Sequence, residues 1–335
     1  MSKKLLEPGL PRGFEDSFGK SLIIEKKIKE VIEKNFLRYG YTEIKTSPFE
    51  YSENIGGFLT DDLNDFSKDI FTFDDKDRKI SLRFDLSAPL ARVVSEKYLE
   101  FAFPFRRFQI AEVFRNETSK TGRGRYRSFL QGDFDQIFFG KVPSQANAEI
   151  LQIICDTMFD LKFKKDQFKI NIFNRKIIEG LLNDLKIKDE NQRFKVLRAI
   201  DKYDRIDENF IDLLQKERVD PVSGDKITGA NLSNDQAKLI IEFLKLKDLK
   251  DLKLECKNEL QKEGITELEE IFEILNEDRY LDQVQVDSSK VRGLNYYDSV
   301  TFETTINFKV KNKQNKLVEL GSVASGGSYA KLCSR

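Results

Sequence analysis

The chain has 335 residues, 57 Lys and Arg against 57 Asp and Glu, and no histidine. Apolar residues make up 39% and charged residues 34%, a globular profile long enough for about two domains. Without histidine there is no Ser-His-Asp or Cys-His pair, no imidazole acid–base catalysis and no His-ligated zinc. Charge work therefore falls to carboxylates, Lys, Arg and Tyr. The balanced charge gives no global basic field, so a nucleic-acid partner has to be met by a local patch. Cys155, Cys256 and Cys333 are odd in number and form no CxxC, which reads as a reduced chain without disulfides or a zinc knuckle. The N-terminus lacks the apolar core of a signal peptide, and no uncharged apolar run reaches membrane-spanning length. A soluble cytoplasmic protein with no membrane partner is expected.

Residues 17–39 place Leu22, Ile24, Ile28, Val31, Ile32 and Phe36 at helical spacing with Lys and Glu opposite, so the pattern predicts an amphipathic helix. Gly40 follows as a C-terminal cap, and residues 41–50 alternate like a strand interrupted at Pro48. An acidic, polar loop is expected over 58–77, leading to strands at 71–75 and 79–86, with a short helix after Pro89. Residues 105–115 read as a strand, 116–127 as a long loop and 128–139 as the antiparallel partner. A helix over 144–161 and a strand over 168–173 follow. Residues 175–278 are rich in Lys, Glu, Leu and Ile at helical period, with almost no strand signal. Strand character returns from Gln283 to Val310, KNKQNK makes a turn, and KLVELGSVASGGSYA closes the chain's readable pattern. Strands, a helical insert and strands again give an antiparallel α+β core interrupted by a helical domain.

Two phosphate-binding patterns fail. Gly13 and Gly19-Lys20-Ser21 approach a P-loop, but five residues separate the glycines and no strand precedes them. GRGRYR and GSVASGG do not open a helix after a parallel strand, as a dinucleotide fold requires. The informative stretch is 110–139. Strand alternation puts Phe129, Gln131, Asp133 and Asp135 on one face and Leu130 and Phe134 on the other. The preceding loop region carries Arg115, Lys120, Arg123, Arg125 and Arg127 against the single acid Glu117. Arginines take phosphate through bidentate contacts and a ring offers a base a stacking surface. Such a face suits a nucleotide together with a cationic or N–H-donating ligand.

These residues carry a resemblance. FRNE (114–117), the basic loop and GRYRSFLQGDFD (124–135) resemble motif 2 of class II aminoacyl-tRNA synthetases. More narrowly, PRGFED (11–16), RFDLSAPLAR (83–92), VRGLNYY (291–297) and GSVASGG (321–327) are similar to the histidyl-tRNA synthetase family, and the wording of 173–232 to its alphaproteobacterial members. The helix, strand and Pro48 then correspond to motif 1, the dimerisation element. The resemblance implies a class II antiparallel sheet flanked by helices. The catalytic core would span 1–173, a helical insertion domain 174–283, and the returning core with histidine-binding motifs 284–335. Motif 3 and an anticodon-binding domain would follow Arg335. The chain alone is accordingly expected to activate ATP weakly or not at all.

By the same resemblance the substrates are histidine, ATP with Mg2+ and tRNA(His), and the protein is a homodimer. Arg115 would hold the α-phosphate and the histidine carboxylate, Glu117 the adenine side, Phe129 the base, and Arg125 the β- or γ-phosphate. Asp85, Ser87 and Gln131 would bind the substrate ammonium, and Asp135, Tyr297 and Tyr296 would face the imidazole. Arg292 would stabilise charge at the α-phosphate during in-line attack by the histidine carboxylate. Positioning and positive charge carry such a step, so a chain without histidine can run it. Asn295, Ser328 and Ala330 depart from the family's usual acid, Arg and Asp. The alternative is the histidine-binding regulatory subunit of ATP phosphoribosyltransferase, a synthetase-like protein that charges no tRNA. The full set Arg115, Glu117, Arg125, Phe129 and Arg292 favours the synthetase.

Overall fold

A computed structural model describes residues 8–59, 69–116, 126–203, 210–216, 218–219, 226–227, 229–277, 279–291, 297–312 and 315–330. The chain divides into two compact units, 1–137 with 309–319, and 138–308 with 320–335.

In the first unit, α1 (Lys20–Arg38) ends as its sequence predicts. Gly40 takes a φ of 76°, and the N–H of Tyr41 returns to the carbonyl of Phe36 at 3.1 Å, a reversal that suits glycine. Of the apolar stripe, Phe36 is buried and Val31 and Ile32 are half-buried, whereas Ile24 and Ile28 stay exposed. The helix therefore covers its predicted face mainly at the C-terminal end within this unit, with Leu22 also half-buried. The strand interrupted at Pro48 becomes two short strands in different sheets, β1 (Thr42–Glu43) and β2 (Phe49–Tyr51). Helix α2 (Ser52–Leu59) follows, its last two residues within the segment expected to be loop; residues 60–68 lie outside the described residues. Strands β3 (Thr72–Asp75) and β4 (Arg78–Leu82) pair antiparallel, with β2 on the far edge of β4.

The strand expected over 79–86 stops at Leu82. Beyond it the Arg83 guanidinium donates to the carbonyls of Glu112 (2.7 Å) and Thr46 (3.2 Å) and draws the chain out of the sheet. Helix α3 (Ser87–Lys97) starts before Pro89 rather than after it. The proline sits in the first turn, where its missing N–H has no intrahelical acceptor to lose. β5 (Phe105–Phe114) and β6 (Ser128–Ile137) form the expected antiparallel hairpin along their whole length. β1 adds to the other edge of β5 in parallel, so this sheet is mixed. Phe134 points to the side covered by α1, its ring 4.5 Å from Phe36 and 5.6 Å from Tyr41, while Phe108 lies 5.3 Å from Phe36. This aromatic cluster anchors one face of the hairpin and leaves the other for chemistry.

In the second unit, α4 (Ser144–Asp160) and β7 (Phe168–Asn174) match the sequence reading within a residue. Asn174 caps α5 (Arg175–Asp184) by accepting the N–H of Lys176 at 3.0 Å. The helical stretch continues with α6 (Glu190–Ile200) and α7 (Phe210–Gln215). A short antiparallel ribbon, β8 (Arg218–Val219) with β9 (Lys226–Ile227), then interrupts a stretch expected to be helical with almost no strand signal. Helix α8 (Asn234–Leu244) opens on a Ser233/Gln236 capping box, and α9 (Leu249–Glu255) and α10 (Glu259–Glu277) complete the stretch. Strands β10 (Val284–Val286), β11 (Val300–Ile306) and β14 (Ala324–Gly327) join β7 in the order β10-β7-β11-β14. β7–β11 and β11–β14 are antiparallel and β10–β7 parallel. Between β11 and β14, β12 (Lys309–Lys311) and β13 (Leu317–Glu319) make a hairpin that belongs to the first unit.

Helix α10 packs on α4, α5 and β7. Its Glu267 accepts from Asn174 (2.7 Å), Ser299 (2.6 Å) and Lys176 (2.7 Å). Burial pushes this carboxyl up, yet the three donors together hold it below the usual carboxylate range.

Candidate active site

The β5–β6 register builds the site. Arg107 lies opposite Asp135, Gln109 opposite Asp133, Ala111 opposite Gln131 and Val113 opposite Phe129. All eight share one face because strand side chains alternate and directly opposed residues point the same way. Just beyond the strands, the N–H of Arg115 donates to the carbonyl of Arg127 at 2.8 Å. The Arg115 guanidinium is thereby brought 4.4 Å from the Phe84 ring centroid and 5.1 Å from that of Phe129, with its Nε donating to the Phe84 carbonyl at 3.3 Å. A guanidinium held between two rings keeps its charge while losing freedom, a disposition suited to an anionic ligand.

Asp85 follows Phe84 in the link between β4 and α3, and its Oδ1 accepts the N–H of Ala88 at 3.0 Å. Loss of solvent pushes its carboxyl above the ordinary range and the charge of Asp133 adds to that. The N–H groups of Ala88 and Ser87 and the Arg115 charge pull the other way without cancelling it. Ser87 is the first residue of α3 and half-buried. Gln131 Nε2 donates to Asp133 Oδ2 at 2.9 Å. Asp133 and Asp135 both ion-pair with Arg107. Gln109 is buried, its Oε1 accepting from Thr46 Oγ1 at 3.0 Å and its Nε2 without a hydrogen-bond partner among the described residues.

The structure thus brings together five of the residues singled out from sequence, Asp85, Arg115, Phe129, Gln131 and Asp135, with Ser87 adjacent to Asp85. Glu117, Arg125, Arg292 and Tyr296 lie outside the described residues. Tyr297 belongs to the second unit, where it is buried with its ring edge-on to Tyr329 at 6.4 Å. The last glycine of GSVASGG matters here. A Cβ on Gly327 would stand 2.6 Å from the Val300 carbonyl and 2.8 Å from the Tyr297 ring. Only a glycine lets β14 lie this close to the tyrosine. Ser328 and Ala330, which depart from the family wording, work through their backbones: the N–H of Ala330 donates to Asp298 Oδ2 at 2.7 Å, and Ser328 exchanges backbone bonds with Asp298 and Val300.

Sequence reading passed over Arg107, Gln109, Thr46 and Arg83. Arg107 shares the parity of Gln109 along β5, but only the pairing register sets it beside Asp135. Among the described residues no cluster of three or more His, Cys, Asp or Glu side chains could hold a metal ion, and no helix is long and apolar enough to cross a membrane.

Comparison with known proteins places this geometry. A family model described as histidyl-tRNA synthetase matches residues 13–335. Histidine–tRNA ligase of Pelagibacter ubique is 51% identical over 334 residues, covering 98% of this chain and 70% of the relative. That of Rhizobium meliloti is 36% identical, covering 98% of this chain and 66% of its own length. The chain therefore spans roughly two thirds of the curated relatives it matches. A solved structure from Bacillus halodurans, titled ATP phosphoribosyltransferase regulatory subunit/histidyl-tRNA synthetase, superposes with a TM-score of 0.76 at 20% identity over 99% of this chain and 78% of that one. That likeness bears on the fold, which is the α+β architecture expected. With matching wording from Gly13 to Arg335, the chain belongs to the histidyl-tRNA synthetase family.

Proposed function

We propose that the chain supplies the histidine- and ATP-binding part of a ligase that joins the two as histidyl-adenylate and passes the histidyl group to the 3′ end of tRNA(His). One observation carries the reading: a single hairpin face on which Arg115 lies against Phe129 beside Asp85, Gln131 and Asp135. An oxygen of the histidine carboxylate attacks the α-phosphorus, the bond to the β-phosphate oxygen breaks, and pyrophosphate leaves with the electron pair. Arg115 offsets charge at the α-phosphate and Phe129 stacks on adenine. Asp85, with Ser87 and Gln131, receives the ammonium, and Asp135 accepts an imidazole N–H. Tyr296 and Tyr297 keep the histidine-side role, and Arg292, Glu117 and Arg125 the nucleotide-side roles, that the family wording implies. Magnesium arrives with the substrate on the ATP phosphates, where it usually keeps several waters.

Residues 174–283 are assigned to an inserted domain contacting the tRNA acceptor arm, supported by exposed lysines such as Lys186, Lys188, Lys245 and Lys250; its binding should fall steeply with salt. A homodimer is supported by the uncovered Ile23, Ile24 and Ile28 of α1 together with exposed Phe49 and Tyr51. A cytoplasmic location is supported by the free, buried Cys155 and Cys256. The alternative, a histidine-binding regulatory subunit, draws support only from the double title of the Bacillus halodurans structure. Calorimetric titration tests the main reading: histidine should bind saturably, and Gln131→Ala or Arg115→Ala should weaken histidine and an adenylate analogue respectively. No binding of histidine, or binding no tighter than that of other amino acids, overturns it.

A further inference from the structure

Arg107 has no part in the reading above, yet it is the most enclosed charge on that face. Its side chain is 0% exposed, against 15% and 12% for the two carboxylates it pairs with, Asp133 and Asp135. The same Nη2 atom faces Asp133 Oδ1 and Asp135 Oδ2. Asp133 is tied down further by Gln131, which donates to its other oxygen at 2.9 Å. Gln109, opposite Asp133 in the register, is fixed in turn by Thr46. Asp85 and Arg115 add one charge of each sign beside this group.

We infer that Arg107 is a positioning residue for substrate selection: its guanidinium clamps Asp133 and Asp135 side by side so that Asp135 offers a fixed acceptor to a ring bearing N–H donors. The inference rests on the proposal that Asp135 faces the imidazole. Two carboxylates two residues apart on one strand face repel, and Asp85 adds a third. Without a cation between them they turn apart, or one takes a proton and would set an O–H donor against the ligand's N–H donor. A buried guanidinium prevents both, since it keeps its proton and the two in-plane N–H bonds of Nη2 fix two acceptors at once. Lysine supplies the charge without that planar geometry. Selection by a fixed acceptor is strong because a ligand lacking the donor leaves a buried polar group unpaired.

The absence of histidine from the chain makes the test direct, since every imidazole signal belongs to the ligand. Imidazole-15N histidine is titrated into the full 335-residue chain, into Arg107→Lys, and into the charge-balanced pair Arg107→Met with Asp133→Asn, with folding followed by circular dichroism. The expected result is a loss of about tenfold or more in histidine affinity for the double variant, with moved ring 15N shifts. Arg107→Lys should recover part of the loss, and ATP affinity should stay within about twofold throughout. A folded double variant that binds histidine within about twofold, with unmoved ring shifts, overturns the inference. So does an equal loss of histidine and ATP binding, which marks a structural role alone. Should the double variant not fold, Arg107→Lys decides by the same ring shifts. Failure of the unsubstituted chain to bind histidine sinks the histidine reading itself, and this inference with it.

Discussion

Substituting Gly327 by alanine tests whether the close approach of β14 is what holds Tyr297. The new Cβ would stand 2.6 Å from the Val300 carbonyl oxygen, 2.8 Å from Tyr297 Cδ1 and 3.0 Å from Thr301 Cγ2. The nearest of these is backbone in the paired strand β11, so no side-chain rotation relieves it. To reach ordinary contact the strands must part locally by about 0.8 Å. The bond from the Ser328 N–H to that same Val300 carbonyl, now 2.7 Å, would then sit at the limit of a hydrogen bond. Overpacking of this kind costs about 1–3 kcal/mol and a lost hydrogen bond about 0.5–1.5 kcal/mol, so about 2–4 kcal/mol is expected. The assay is urea unfolding followed by circular dichroism and tyrosine fluorescence, the chain having no tryptophan, together with histidine titration. Gly321→Ala is the control, because nothing lies within 4 Å of its added Cβ. Unfolding of Gly327→Ala within about 0.5 kcal/mol of the parent, with unchanged histidine affinity, refutes the reasoning.

Phe36→Ala should cost about 3–5 kcal/mol, since the buried ring packs on Phe108 and Phe134; a loss under about 1 kcal/mol in urea unfolding would show that α1 is not docked on the hairpin. Asp85→Asn should stabilise the fold at neutral pH while weakening histidine binding. The folded-state pKa of Asp85 lies above its ordinary 3.8, so the folded chain binds this proton more tightly than the unfolded one. Stability is then lost as pH rises through the folded value, and asparagine removes that loss; a variant less stable than the parent at pH 7 contradicts the sign. Ile24→Lys combined with Ile28→Lys should convert a dimer to monomer in analytical ultracentrifugation with helix content retained, and an unchanged sedimentation coefficient rejects the α1 face as the interface.

The site was legible where the chemistry lies along one strand. Phe129, Gln131, Asp133 and Asp135 are two residues apart, and a period of two needs no partner to be read. Arg107 was not legible in this way. Its place beside Asp135 depends on closing a hairpin across residues 115–127, and a shift of one residue would turn it to the aromatic side. The same limit hid the role of Gly327, whose neighbour Tyr297 lies across a strand pairing. Among the elements, α1 and its glycine cap were written locally. The start of α3 was misread because proline in a first turn looks like a boundary, and the parallel additions of β1 and β10 leave no trace in hydrophobic alternation.

Glu267 bears on how this architecture can be inherited. It sits on α10, late in the helical stretch, yet its carboxylate is shared by Asn174 at the end of β7, Lys176 at the start of α5 and Ser299 just before β11. The first and last helices of the excursion are thus stitched to the sheet from which it departs. A recombination event that exchanged the whole stretch after Asn174 would part Glu267 from Asn174 and Ser299, severing two of its three hydrogen bonds, while Lys176 would travel with it. One that cut between α5 and α10 would sever none. Variation in length and content should therefore accumulate in the middle of the excursion, around the β8–β9 ribbon, while its two ends travel with the core through descent.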